Sequence, residues 1–253
     1  NPALYKDVEH PHDAEPLGNM LGLSTLEAVR SIETKDDSRL SIISETIELP
    51  LADFAQRIKD TEAQREKLLQ SLRGTTINLK TFMPLMVKYS LSEDFPSHYA
   101  HRYLHEEMLG KEDLKSRDAE NRANMKRYMN NIYIMEELTR VQANLSLLKK
   151  HQKDNAGAGK KTVTVEVLAV RIGDLTLVTF PGELTVQIGL NIKKASPHDN
   201  TLVAAYTNGY IYYAPTAEQL RNTGHAQEDS DTMLAPEWQA IYEAKVAEFL
   251  AGL

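Results

Sequence analysis

Residues 163–216 hold the pattern that most constrains the fold, because strand-like runs alternate there with turns and one short amphipathic stretch. Two apolar runs, at 163–172 and 175–180, flank a tight turn at Gly173. This spacing predicts a pair of neighbouring strands. An amphipathic helix and a further strand at 201–206 are expected to follow.

The polar residues that follow these strands are the first candidates for a site. Glu183 closes the motif Pro-Gly-Glu, where a strand is expected to pass into the first turn of a helix, and Tyr213 lies just past another strand end. Side chains at strand ends of a mixed sheet converge on a crevice. The alternative for Glu183 is an acid that favours the positive end of the helix macrodipole. Tyr213 belongs to a cluster of four tyrosines, which are Tyr206, Tyr210, Tyr212 and Tyr213. The alternative for these tyrosines is that they pack at the surface with their hydroxyls exposed.

The rest of the chain is mainly helical in pattern. Helical spacing is present at 17–32, 51–72, 113–151 and 235–250, and partial alternation at 40–49 predicts a strand that ends before a proline. The segment 113–151 is the longest periodic segment and is interpreted as one helix that lies on a core.

Together these elements predict an α+β fold with a mixed β-sheet core and long amphipathic helices, as part of a larger catalytic domain. Residues 1–253 are interpreted as the C-terminal half of that domain, with a helical excursion at about 51–151. Residues 154–161 are expected to be a flexible, exposed turn after the long helix.

Composition excludes several classes of function. The formal charge is -7, which argues against nucleic acid as a partner. The chain has no cysteine, which excludes disulfides, thiolate catalysis and zinc–thiolate sites. No apolar run approaches membrane-spanning length. There is no G-x-S-x-G, P-loop or G-x-G-x-x-G motif.

Two groups of histidines are further candidates for a site. His98, His101 and His105 lie three and four residues apart and would share a helix face, which is typical of metal ligands but also of a solvated face. His10 and His12 lie in a polar segment near the start of the chain, which is either part of a site or a surface loop.

The strand-rich segment resembles the neutral/alkaline, non-lysosomal ceramidase family. The resemblance is carried by VLAVRIGDLTLVTFPGE at 167–183, IGLNIK at 188–193 and NGYIYYAPTAE at 208–218. The resemblance is strong over 163–218, loose over 1–50 and only architectural over about 51–151, the helical middle of the chain. The opening Asn-Pro fits the end of the family's Gly-Asp-x-(Ser or Asn)-Pro motif, so the chain is expected to begin inside that motif.

The resemblance implies a zinc-dependent amidase, with Glu183 and Tyr213 as metal ligands. Asn1 matches a serine that lies beside the scissile amide, and His225 matches a tyrosine that holds the substrate. Tyr210, in the same motif as Tyr213, is expected as a further catalytic side chain. The other zinc ligands are histidines of the family's upstream half, so an upstream half or partner chain is expected to supply them. A zinc-bound water would then attack an N-acyl amide.

Several alternatives stay open at this point. The chain could be a non-catalytic binding or structural subunit, which the replacements at Asn1 and His225 favour. It could be a processed amidase in which the free amine of Asn1 acts as a base or ligand. The substrate could be ceramide, another lipid at a membrane surface, or a different acyl amide. Further expectations are a secreted or periplasmic location and a homo-oligomer.

Overall fold

A computed structural model of the protein describes residues 14–90, 100–221 and 226–253. The chain forms two compact units, Asn1–Leu40 and Ser41–Leu253. In the first unit, helix α1 (Ala14–Arg30) carries apolar side chains but buries none of them. No helix among the described residues is both long enough and apolar enough to cross a membrane.

The remaining described elements belong to the second unit, apart from the first residue of β1. The strands are β1 (Leu40–Pro50), β2 (Thr162–Ile172), β3 (Leu175–Thr179), β4 (Glu183–Leu184), β5 (Asn200–Ala204) and β6 (Tyr213–Ala214). The helices are α2 (Ala55–Ser71), α3 (Leu79–Ser90), α4 (His101–Met108), α5 (Asp113–Gly157), α6 (Val186–Ala195), α7 (Ala217–Arg221) and α8 (Trp238–Gly252).

The main sheet is mixed, as predicted. Its order is β1-β2-β3-β5, with β2 and β3 antiparallel and β3 and β5 parallel. Strands β4 and β6 form a second, two-stranded parallel sheet. With the helices, this confirms the predicted α+β class.

The β2–β3 hairpin forms where the sequence predicted it. Alternate residues of β2, including Val165, Val167 and Ala169, are buried, because side chains of a strand point to opposite faces of the sheet. Gly173 closes the turn with a positive φ of 60°, a conformation that glycine adopts at little cost. Ile172 therefore pairs directly with Leu175.

Helix α8 supplies the centre of the core. Trp238 and Tyr242 are fully buried, and both rings pack against Phe180 at centroid distances of 5.3 and 4.8 Å. Their polar atoms are also bonded: the Trp238 indole donates to the Pro215 carbonyl (2.9 Å) and the Tyr242 hydroxyl to the Thr179 carbonyl (3.0 Å). These bonds attach α8 to the last residue of β3, which precedes β4, and to the residue that follows β6.

Two boundaries differ from the predictions for the helical middle. The helix expected at 51–72 begins only at Ala55, because Leu51 forms a β-bridge with Leu234. Helix α5 runs on to Gly157, so the first half of the flexible turn expected at 154–161 is helical instead. The amide of Asn155 holds this last turn by donating to the carbonyls of Ala52 (2.9 Å) and Met233 (3.0 Å).

Helices α3 and α4 are attached to α5 through one half-buried carboxylate. Asp118 accepts from the Lys88 ammonium (2.6 Å), the Tyr89 hydroxyl (2.5 Å) and the Tyr103 hydroxyl. Because this acid is satisfied within the helical middle, we interpret the cluster as a packing contact.

Candidate functional site

The short strands β4 and β6 place Glu183 directly opposite Tyr213. The two residues are register partners in a parallel pair. The Glu183 amide donates to the Tyr212 carbonyl (2.9 Å), and the Tyr213 amide donates to the Asp231 carbonyl (3.1 Å). Residues opposite each other in paired strands present side chains on the same face. The expectation that Glu183 lies in the first turn of a helix is therefore wrong, because α6 begins only at Val186.

Gly182 allows the two strands to approach this closely. A Cβ atom at this position would lie 2.7 Å from the Tyr212 carbonyl oxygen and 3.0 Å from Cε1 of Phe180. Such distances are shorter than van der Waals contact, so any side chain here would push β6 away. The glycine of the Pro-Gly-Glu motif is thus required by the distance between Glu183 and the strand opposite.

The loop between β5 and β6 carries unusual backbone conformations. Tyr206, Asn208 and Tyr212 have positive φ angles of 57°, 61° and 63°. This left-handed region is uncommon for residues other than glycine, and such residues cluster at functional sites. The loop is held by hydrogen bonds, since the Tyr206 amide donates to the Gly182 carbonyl (3.1 Å).

Two tyrosines of this loop bind the carboxylate of Glu183. The Tyr206 hydroxyl donates to Oε2 (2.7 Å), and the Tyr210 hydroxyl donates to Oε1. The two rings are stacked with their centroids 6.3 Å apart. Both tyrosines are more than half exposed to solvent. The alternative that these phenols only pack at the surface is incomplete, because both also satisfy the acid.

Electrostatics keep the acid ionised and the phenols neutral. Burial alone would raise the pKa of Glu183, but hydrogen bonds from Tyr210, Tyr206 and Tyr213 outweigh it and lower the pKa below its usual value. In return, the hydrogen bond to Glu183 raises the pKa of Tyr213 to about 12, and it raises the pKa values of Tyr206 and Tyr210 too.

A groove of about 250 Å³ opens at this carboxylate. Its walls include Glu183, Tyr206, Tyr213, Glu228 and Asp229. Three of its nine lining residues are acidic and none is basic, so the groove suits a cation or a hydrogen-bond donor. A larger groove, of about 690 Å³, lies beside α2. We place the candidate site at the smaller groove because it holds the carboxylate–phenol cluster, and perturbed groups of this kind concentrate at functional sites.

Sequence reasoning missed two residues behind the tyrosines. His151 is fully buried near the end of α5, and its Nε2 lies 2.6 Å from Oδ1 of Asp231. The imidazole also packs edge-on against the Tyr212 ring, with centroids 4.7 Å apart. A signal was present in the sequence, since His151 falls three residues after the buried Leu148 on the apolar face of the helix.

Five other residues are site candidates from the sequence alone. Asn1, His10, His12, His98 and His225 lie outside the described residues.

His101 and His105 are described, and both are exposed on α4 with stacked rings 6.4 Å apart, as expected for a solvated face. Within residues 14–90, 100–221 and 226–253, no group of three or more histidines, cysteines or acids could hold a metal ion.

The comparisons with known proteins give partial matches. No protein-family model and no curated protein matches the chain. Among solved structures it is similar to the neutral ceramidase from Pseudomonas aeruginosa, with 25% identity and a TM-score of 0.31, over 36% of this chain and 15% of that chain. It is also similar to a ceramidase complexed with C2, with 25% identity and a TM-score of 0.30, over 35% and 15% of the two chains. The matched part of this chain therefore spans about one seventh of the length of these bacterial and related ceramidase structures.

Proposed function

We propose that this chain supplies two oxygen ligands, Glu183 and Tyr213, to the zinc centre of a hydrolase that cleaves N-acyl amides. The observation that carries the proposal is the β4–β6 register, which sets the ionised carboxylate directly opposite the phenol. The sequence resemblance of residues 163–218 to the neutral/alkaline ceramidase family supports the identity of the metal and of the reaction.

The donor set fits half of a zinc site. Carboxylate oxygen is a common zinc ligand, and catalytic zinc usually takes three protein ligands and a water. The described residues offer no third histidine, cysteine or acid in a suitable group. The remaining ligands are proposed to be histidines of an upstream half or partner chain of the same precursor.

A zinc ion bound there would lower the pKa of its water and polarise the amide carbonyl. The chain's own residues have separate tasks. Glu183 contributes negative charge, and its lowered pKa keeps that charge at neutral pH. Tyr210 is proposed to donate to the oxygen on which charge develops, since its hydroxyl already donates to an anionic oxygen in the groove.

The exposed tyrosine rings support an acyl or lipid substrate. The faces of Tyr206 and Tyr210 offer apolar area beside the carboxylate. Ceramide or another lipid at a membrane surface and a different acyl amide are both proposed substrates. The secreted or periplasmic location and the homo-oligomer stay predictions, as do the roles of Asn1 and His225.

Metal analysis of the complete assembly tests this function. We expect about one zinc per assembly in the wild type and its loss in Glu183→Gln, which keeps the side-chain shape but removes the charge. Glu166→Gln is the matched control, because Glu166 accepts a hydrogen bond from Ser44 (2.8 Å) at the sheet and lies outside the groove. It should keep its zinc. Absence of zinc in the wild type after zinc is supplied would refute the proposal.

One observation favours a second candidate, a non-catalytic binding or structural subunit. Both oxygens of Glu183 already accept phenol hydrogen bonds, so the carboxylate is satisfied without a metal. This candidate predicts that Glu183→Gln loosens the tyrosine loop and leaves the metal content of the assembly unchanged. The same metal analysis therefore separates the two candidates.

A further inference from the structure

We propose that His151 and Arg57, which lie on different helices, are positioning residues that hold the segment Asp229–Thr232 against β6 and so fix Tyr213. The inference rests on the proposed function only for what Tyr213 does. The positioning itself is a property of the described chain and is testable without metal.

The segment Asp229–Thr232 is the second neighbour of β6. On one side, β6 pairs with β4. On the other side, the Tyr213 amide donates to the Asp231 carbonyl (3.1 Å), and Tyr212 forms a β-bridge with Thr232. Because β4 and β6 pair over only two residues each, this second contact is needed to hold the register.

His151 reaches the segment from α5. Its Nε2 lies 2.6 Å from Oδ1 of Asp231, and because a carboxylate oxygen is an acceptor, we assign the ring N–H as the donor. The ring is fully buried, and its Nδ1 has no hydrogen-bond partner among the described residues. Asp231 is thus the polar partner of the imidazole, and the Tyr212 ring packs on the imidazole in an edge-on arrangement with ring centroids 4.7 Å apart.

Arg57 reaches the same segment from α2. Its guanidinium donates to the Asp229 carbonyl (2.7 Å) and to Oγ of Ser230 (3.0 Å). Burial lowers the pKa of Arg57, and the charge of Asp229 opposes that shift. An arginine stays protonated in proteins, so both bonds are charge-assisted. Ser230 and Asp229 are buried, as expected of a segment held on several sides.

The two contacts give the helical middle a role in the site. Neither α2 nor α5 carries a proposed metal ligand, yet each donates to the segment that bonds the Tyr213 amide. Loss of either donor should increase local opening of the segment Asp229–Thr232, since backbone held by fewer hydrogen bonds unfolds locally more often. Helices α2 and α5 therefore act on Tyr213 through its backbone.

Hydrogen exchange of the metal-free full chain tests the proposal. In His151→Ala we expect the Tyr213 amide to exchange about tenfold faster, the factor that corresponds to loss of one ordinary hydrogen bond. His151→Gln should restore slow exchange, because the Gln amide nitrogen can donate where Nε2 does. Lys149→Ala is the control on the same helix, since it breaks only the exposed pair with Glu62 (2.5 Å).

The outcomes separate positioning from general stability. Faster exchange confined to peptides around 210–216 and 229–232, with α8 still protected, supports the proposal. Arg57→Ala provides the same test if His151→Ala fails to fold, because Arg57 is only half-buried. Wild-type exchange at Tyr213 in a folded variant, or equal acceleration in α8, would overturn it. Zinc measured separately decides the proposed function, so positioning can hold where metal binding fails.

Discussion

Substitution of Gly182 by alanine should separate the two halves of the candidate site. The added methyl would lie 2.7 Å from the Tyr212 carbonyl oxygen, 3.0 Å from Cε1 of Phe180 and 3.1 Å from Cγ1 of Ile211. The first of these atoms belongs to the backbone and cannot rotate away. It is also the oxygen that accepts from the Glu183 amide at 2.9 Å. The strain therefore falls on the bond that sets Glu183 opposite Tyr213.

The change in the free energy of unfolding of Gly182→Ala follows from three effects. Overpacking of this kind costs about 1–3 kcal/mol. Weakening of the Glu183–Tyr212 hydrogen bond costs about 1 kcal/mol more. Reduced freedom of the unfolded chain returns about 0.4–1 kcal/mol. We expect Gly182→Ala to lower the free energy of unfolding by about 1–3 kcal/mol.

Gly189→Ala is the matched control. Gly189 lies in α6, and a Cβ there would meet only the Cβ of Val203, at 4.0 Å. Because alanine favours a helix, this change should raise the free energy of unfolding by about 0.5–1 kcal/mol. Urea unfolding followed by circular dichroism measures both variants, and we expect their free energies of unfolding to differ by about 1.5–4 kcal/mol. Equal stability of Gly182→Ala and the wild type, with an unchanged near-UV tyrosine signal, would refute the close approach described here.

Two further predictions concern the buried amide and the titration of the site. Asn155→Ala removes both hydrogen bonds that hold the end of α5 and leaves two carbonyls without that donor; urea unfolding should show a loss of about 1–3 kcal/mol, and a loss below about 0.5 kcal/mol would contradict the anchoring role. In Glu183→Gln, Tyr213 should titrate below its wild-type pKa of about 12, because the hydrogen bond to the carboxylate is the largest cause of the shift. Since the folded-state phenol pKa is raised, this contribution to stability is complete below pH about 10 and is lost as the pH rises through about 12. Phenolate absorbance during an alkaline titration checks the shift, and identical curves for the variant and wild type would contradict it.

The hairpin and the main helices were predictable because their signals are local. Apolar alternation and a glycine turn specify β2 and β3, whose observed ends agree with the sequence pattern to within one residue. The apolar stripe of α8 includes Trp238, Tyr242, Val246 and Phe249, all of which are buried. Predictions from such patterns agree with the structure because tertiary packing favours the same conformation as the local sequence.

The site differed from prediction where contacts between distant segments decide the conformation. Glu183 lies in a strand because it pairs with Tyr213, thirty residues along the chain, and no local pattern reports that pairing. The last turn of α5 passes through a sequence typical of a turn, and Asn155 holds it by bonds to Ala52 and Met233. Sequence resemblance singled out the two opposed residues, and the tyrosine cluster was a candidate from the sequence. The hydrogen bonds from Tyr206 and Tyr210 to Glu183, and the contact of His151 with Asp231, required coordinates.

The backbone of the tyrosine loop argues that its geometry serves the acid. A left-handed conformation costs a residue other than glycine about 1–3 kcal/mol. Tyr206 and Tyr212 both adopt it, although glycine would form the same turns with little strain. A turn that served only to connect β5 and β6 would have no need of phenols at strained positions. Here the strain at Tyr206 is offset by its amide bond to Gly182 and its hydroxyl bond to Glu183, and Tyr212 supplies the carbonyl that binds the Glu183 amide. Tyr206 therefore bonds the Glu183 carboxylate through its phenol, and Tyr212 bonds the Glu183 amide through its backbone, so the loop is built around this residue.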